Sequence, residues 1–282
     1  MRARFLPLLL LLMLAAACGS SSSPSIQPVG PARTYHLSGF APVTAARPGR
    51  PTLITFTIDR PSGTALTAYK TGSGPHTGVD LIIVRSDDSR LLYEDTDIGA
   101  GGKITQPVVF PTPGRYRIIV DAYPAHLSPG APINFQLFRW ITVPGAAKSH
   151  PLPIFTPTVN VHGYRFTLPR RLSIHAVQAT LMKVKVHEPN GRPAHFSIWR
   201  GALAHAIFIR TGSLDYFHTH VCSPGATNCT SRFGGAAVTG TSNTPGRLTV
   251  GVLAPVPGTW RLFLLTYIDG HQLTAPFTLR VS

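Results

Sequence analysis

Residues 80–97 read DLIIVRSDDSRLLYEDTD, and residues 205–221 read HAIFIRTGSLDYFHTHV. Each is an apolar run closed by an arginine, then a short polar break, then a second run carrying aromatic residues. Superposing Arg85 on Arg210 places Asp80 on His205, Tyr93 on His218 and Asp95 on His220. A second pair of stretches follows in the same order, VVFPTPGRYRIIVDAY (108–123) and GVLAPVPGTWRLFLLTY (251–267), each with Pro-Gly, an aromatic, an arginine and an apolar strand. The two landmarks stand further apart in the second half, and the excess falls in the polar, glycine-rich insertion 222–246. Self-similarity of this kind reads as two copies of one structural unit.

The units read as strands. RYRIIVDAY, ATLMKVKVHE and TWRLFLLTYI are β-branched or aromatic runs, and PTLITFTID (51–59) alternates in part. Asp269-Gly270 and Asn190-Gly191 between such runs are hairpin signals, because these residues tolerate the positive φ that tight turns require. The 27 prolines and 26 glycines punctuate many short strands. The expected fold is all-β: two tandem immunoglobulin-like β-sandwiches, 33–145 and 155–282, with a linker at 146–154.

The N-terminus points to export. Arg2 and Arg4 precede an apolar stretch, Phe5–Ala17, too short to span a bilayer, which is the layout of a secretory signal over 1–17. Ala15, Ala16 and Ala17 then meet Cys18, as in a bacterial lipobox, although leucine sits one place earlier than the usual pattern. Cys18 is the expected lipidation site, and the Ser/Pro-rich stretch 18–32 is the flexible tether of a membrane-anchored, extracytoplasmic protein. A formal charge of +15 would ordinarily suggest nucleic acid. The basic residues are scattered, without a basic helix or stacking motif, so no nucleic-acid partner is expected. An anionic lipid or wall polymer accounts for the charge as well.

The chemistry concentrates in DYFHTHVCSPGATNC (215–229). Alternation along a strand puts His218, His220 and Cys222 on one face. His205, on the preceding strand, is the natural third imidazole, expected near the diagonal of His220. Three neutral nitrogen donors suit Cu(II) or Zn(II), with no organic cofactor implied. Cys222 has two readings. As a thiolate it would complete a His₂–Cys set of blue-copper type, but the three methionines, 1, 13 and 182, offer no obvious axial ligand. Set against Cys229 in an oxidising compartment, it would form a local disulfide, which the even number of cysteines left after Cys18 favours. In the first copy YEDTD (93–97) could hold a hard cation, but such a run is more often a solvated turn. No nucleophile elbow, phosphate loop or H-E-x-x-H occurs, so no enzyme is expected. The alternative to metal binding is an envelope interaction module that presents the disulfide-closed insertion to a protein partner.

The stretches AHAIFIR (204–210), LDYFHTHVCSP (214–224), PGTWRLFLLTY (257–267) and LTAPFTLRV (273–281) resemble a group of secreted, largely actinobacterial proteins and lipoproteins with repeated sandwich domains. Their pattern is G-H-L-V-x-L-R, then an acidic residue with YLHVHP, then a Pro-Gly-x-aromatic-Arg strand. His205, His218 and His220 fall on the group's three histidines. The group's association with CopC-like and YtkA-like copper-handling domains implies a metal, copper first. This chain departs in placing Val221 and Cys222 directly after H-x-H, and Leu265 where an Asp or Gln is common. Its first copy lacks the histidines.

Overall fold

The computed structural model describes residues 34–126, 134–213, 215–226, 228–233 and 236–282. The signal segment, Cys18 and the tether lie outside the described residues. Among the described residues, seven strands build the first sandwich: β1 (His36–Ala41), β2 (Pro51–Asp59), β3 (Val79–Arg85), β4 (Leu91–Asp95), β5 (Ile104–Val109), β6 (Gly114–Ala122) and β7 (Phe135–Val143). They pair as β1-β2-β5 and β4-β3-β6-β7, the three-plus-four arrangement of an immunoglobulin-like fold. Alternate residues of β2 (Ile54, Phe56, Ile58) meet Leu81, Ile83, Ile118 and Val120 of the facing sheet in one apolar core.

The second sandwich contains β8 (Thr158–Val161), β9 (Tyr164–Thr167), β10 (Thr180–His187), β11 (Phe196–Ser197), β12 (Ala204–Arg210), β13 (Tyr216–Cys222), β14 (Ser231–Phe233), β15 (Ala236–Val238), β16 (Gly240–Thr244), β17 (Arg247–Val252), β18 (Gly258–Ile268) and β19 (His271–Val281). One sheet half runs β13-β12-β18-β19, matching β4-β3-β6-β7. The other runs β17-β10-β9-β8. The halves are not separate sheets, because β16, inside the insertion, pairs parallel with the end of β13 at Val221–Gly240 and Cys222–Thr241. Asp269 and Gly270, at φ 51° and 78°, close the β18–β19 hairpin with Ile268 opposite His271, as the Asp-Gly dipeptide predicts.

Strands β3 and β12 explain how the two sandwiches meet. An ordinary sandwich strand buries one face and alternates apolar with polar. Every residue of VDLIIVR is buried, as are the first six of AHAIFIR, so these strands are covered on both sides. Their second faces form a further core shared by the two sandwiches: Ile82, Val84, Leu91, Tyr93 and Ile119 of the first against Ile207, Ile209, Phe263 and Leu265 of the second. Residues 34–282 accordingly form one compact unit.

Candidate metal centre

The β12–β13 hairpin sets the geometry. Arg210 closes its turn, its amide donating to the Asp215 carbonyl (2.8 Å) and its guanidinium pairing with the Asp215 carboxylate at 3.3 Å. From that turn the register places Ile207 opposite His218 and His205 opposite His220. His205 therefore faces His220 directly rather than lying on its diagonal, because the loop the salt bridge closes is fixed in length. The first copy has the same register: Ile82 opposite Tyr93 and Asp80 opposite Asp95. On the far side of β3 Asp80 faces Asp121, where on β12 His205 faces Leu265.

Odd residues of β12 and even residues of β13 point toward the shared core, so all three histidines converge there. His205 and His220 are buried and His218 nearly so. One nitrogen from each ring falls within 4.8 Å of the other two. His205 Nδ1 lies 3.2 Å from His218 Nε2. Two ligands about 2.0–2.1 Å from a tetrahedral ion stand about 3.3 Å apart, so this pair is already spaced for coordination. His205 Nε2 donates to the Trp199 carbonyl at 3.0 Å, which fixes its proton there and turns the Nδ1 lone pair inward, an arrangement usual for metal-bound imidazole. His218 Nδ1 and both nitrogens of His220 are buried without a hydrogen-bond partner. Unpaired buried polar atoms cost on the order of 1–3 kcal/mol each, and an ion at the centre would relieve part of that cost.

Burial keeps these rings neutral. It lowers His205 to about 4, and it lowers His218 and His220 well below the ordinary value, with repulsion from the neighbouring imidazoles adding to it. All three offer lone pairs at neutral pH.

The first sandwich supplies the wall of the site. Tyr93 packs edge-on against His205 and His218 at 5.2 and 5.8 Å, and Arg200 lies over both Tyr93 and Trp199 at 4.6 Å. Asp121, fully buried, accepts hydrogen bonds from Asn134 (2.7 Å), Gln136 (3.0 Å), Tyr216 (2.9 Å) and Tyr123 (3.4 Å). Burial, then the neighbouring Asp121, raises Asp80 well above the usual carboxylate range. In the acidic stretch of the first copy, YEDTD, Asp95 and Asp97 are exposed at and beyond the end of β4, while Tyr93 is buried. Tyr93 and Asp80 are buried beside the histidines, because both faces of β3 are covered. A cleft of 370 Å³ lined by His76, Asp121, Tyr123, Tyr216, His218 and others leads to the trio.

Cys222 is not available as a ligand, because it forms a disulfide with Cys229 across a Cα–Cα distance of 6.3 Å. The trio is what the H-x-H spacing and the strand before it point to. His76 is not legible that way: it stands alone in the loop TGSGPHTG, far from the others in sequence, yet its ring lies 4.7 Å from that of His220.

Fold and site define a class: a two-sandwich, all-β protein with a buried imidazole cluster at the junction of its halves. Residues 159–282, the second sandwich, match the model of a domain family of unknown function, DUF8832. No curated protein matches the sequence. The solved structures similar to it include the following three. A tetra-tandem repeat from the extending region of a large adhesion protein has 8% identity and a TM-score of 0.26, over 88% of this chain and 49% of that one. Invasin, a bacterial integrin-binding protein, has 12% identity and a TM-score of 0.25, over 88% and 39%. Fibronectin(III)-like modules of Clostridium thermocellum CbhA have 11% identity and a TM-score of 0.21, over 88% and 93%. The chain spans less than half the length of the first two.

Proposed function

We propose that this is a metal-binding protein of the cell exterior that holds Cu(II) or Zn(II) through His205, His218 and His220. The observation that carries this reading is the convergence of three neutral imidazoles, two buried and one half-buried, with one nitrogen of each within 4.8 Å of the others. A set of nitrogen donors without carboxylate favours copper or zinc over calcium or magnesium. The open side of His218 toward the cleft gives an ion a route in and out, which suits buffering or delivery better than permanent structural binding. The Cys222–Cys229 disulfide fits an oxidising compartment. The N-terminal segment fits an exported chain anchored at Cys18, and the resemblance to secreted sandwich lipoproteins agrees with both.

Titration of the tag-free chain with Cu(II) and Zn(II) by calorimetry is the test. A single tight site that disappears in the His218→Ala, His220→Ala double variant is expected. Unchanged affinity in that variant would end the proposal. A second reading, an envelope interaction module, draws support from the exposed tip Pro224–Ala226 of the disulfide loop. It requires a partner that is lost on substitution of that tip while metal binding stays intact.

A further inference from the structure

We infer that His76, contributed by the first sandwich, is a fourth imidazole ligand, so that the ion is held by groups from both halves of the molecule. The inference rests on the trio being a metal site and goes beyond it by naming a ligand from the other half.

His76 is buried at 8% exposure in the loop between β2 and β3. Its ring meets His220 edge to face at 4.7 Å and stacks on Tyr123 at 5.4 Å. It hydrogen-bonds the backbone of Asn228, inside the disulfide loop, as His205 bonds the Trp199 carbonyl. Pinning one nitrogen of an imidazole on a carbonyl leaves the opposite nitrogen with a lone pair and a fixed direction.

The seat of this loop is built for close approach. Gly201, at φ 74°, presses on the Gly74–Pro75 backbone, and a Cβ there would stand 2.4 Å from the Gly74 carbonyl carbon. Gly201 directly follows Trp199 and Arg200, which wall the trio. The second sandwich therefore grips the loop one residue before His76. His76 is not among the residues whose nitrogens lie within 4.8 Å of one another, so its coordination requires the ring to turn or move inward from its contact with His220. Four neutral nitrogens complete a tetrahedral Zn(II) or tetragonal Cu(II) set.

The experiment is electron paramagnetic resonance of the Cu(II)-loaded chain, read for nitrogen hyperfine coupling, with Cu(II) affinity measured alongside. The expected wild-type spectrum shows four coordinated nitrogens. His76→Ala should lower the count to three and weaken affinity at least about tenfold. Gly201→Ala, which displaces the loop but keeps the imidazole, should weaken it as well. A three-nitrogen wild-type spectrum overturns the inference without any variant. So does a His76→Ala protein with unchanged count and affinity while the His218→Ala, His220→Ala variant loses binding, in which case the three-histidine site stands alone. If the wild-type chain binds no Cu(II), both readings fall together.

Discussion

His205 and His220 stand directly opposite each other on neighbouring strands, with ring centroids 5.0 Å apart and planes at 87°. A directly opposed cross-strand pair has its Cβ atoms about 4.5–5.5 Å apart. Two imidazoles can therefore share an ion without any movement of the backbone, and the third comes from the next residue on the same face, His218.

Binding to a preformed site stabilises the folded state by mass action. Zn(II) at a hundredfold excess over its dissociation constant contributes about 2.7 kcal/mol. For a chain of this size that raises the melting temperature by roughly 5–10 °C. Differential scanning fluorimetry should show this rise in the wild type and none in the His218→Ala, His220→Ala variant.

Acid should destabilise the metal-free protein well above the range where carboxylates titrate. His76 and His205 fall to about 4 in the folded state, and burial also lowers His218 and His220 well below their ordinary value. Unfolded histidine titrates near 6.5. Between these values the unfolded chain binds more protons, so stability is full above about pH 6.5 and is lost as pH falls toward 4. Asp80, Asp88, Glu94 and Asp121 act in the opposite sense. Their raised values favour the folded state at low pH, and that contribution is lost as pH rises above the unfolded values near 4. Urea unfolding of the metal-free chain should show stability falling by a few kcal/mol from pH 7 to pH 5, and a flat profile would contradict the burial of neutral rings.

The disulfide should matter twice. Closing a loop this short contributes about 2–3 kcal/mol in the chain-entropy treatment, and the loop also carries Asn228, the partner of His76. A Cys222→Ser, Cys229→Ser protein should unfold at lower denaturant and bind Cu(II) more weakly than the wild type. Loss of stability with unchanged affinity would separate the loop from the site.

Tyr216 ties the halves together through its hydroxyl, which donates to Asp121 at 2.9 Å. Tyr216→Phe keeps the ring but leaves a buried carboxylate one donor short, which should cost about 1–3 kcal/mol. Chemical denaturation measures it directly. A neutral outcome would mean that Asn134, Gln136 and Tyr123 satisfy Asp121 without it.

The strands, the Asp269-Gly270 turn, the row of histidines and the pairing of Cys222 with Cys229 were all legible because each depends on neighbours in sequence. Periodicity fixes a face, glycine permits a turn, and parity suggests a disulfide. What was not legible depends on the second face of β3 and β12. LIIV and AIFI are continuous apolar runs, the mark of strands covered on both sides, but nothing local says what covers them. The cover is the other copy, and with it come Tyr93, Asp80 and His76. A lone histidine among glycines carries no period, so its place beside His220 follows only from the packing of the two halves.

Because equivalent sheets of a duplicated unit face one another, the molecule resembles a homodimer written on a single chain, yet it is released from a homodimer's obligation to present the same groups from both sides. One copy could drift toward imidazole while the other kept carboxylate and phenol at the matching positions. A symmetric ancestor could not have set tyrosine against histidine across the same contact, and the fused chain holds both chemistries a few ångströms apart.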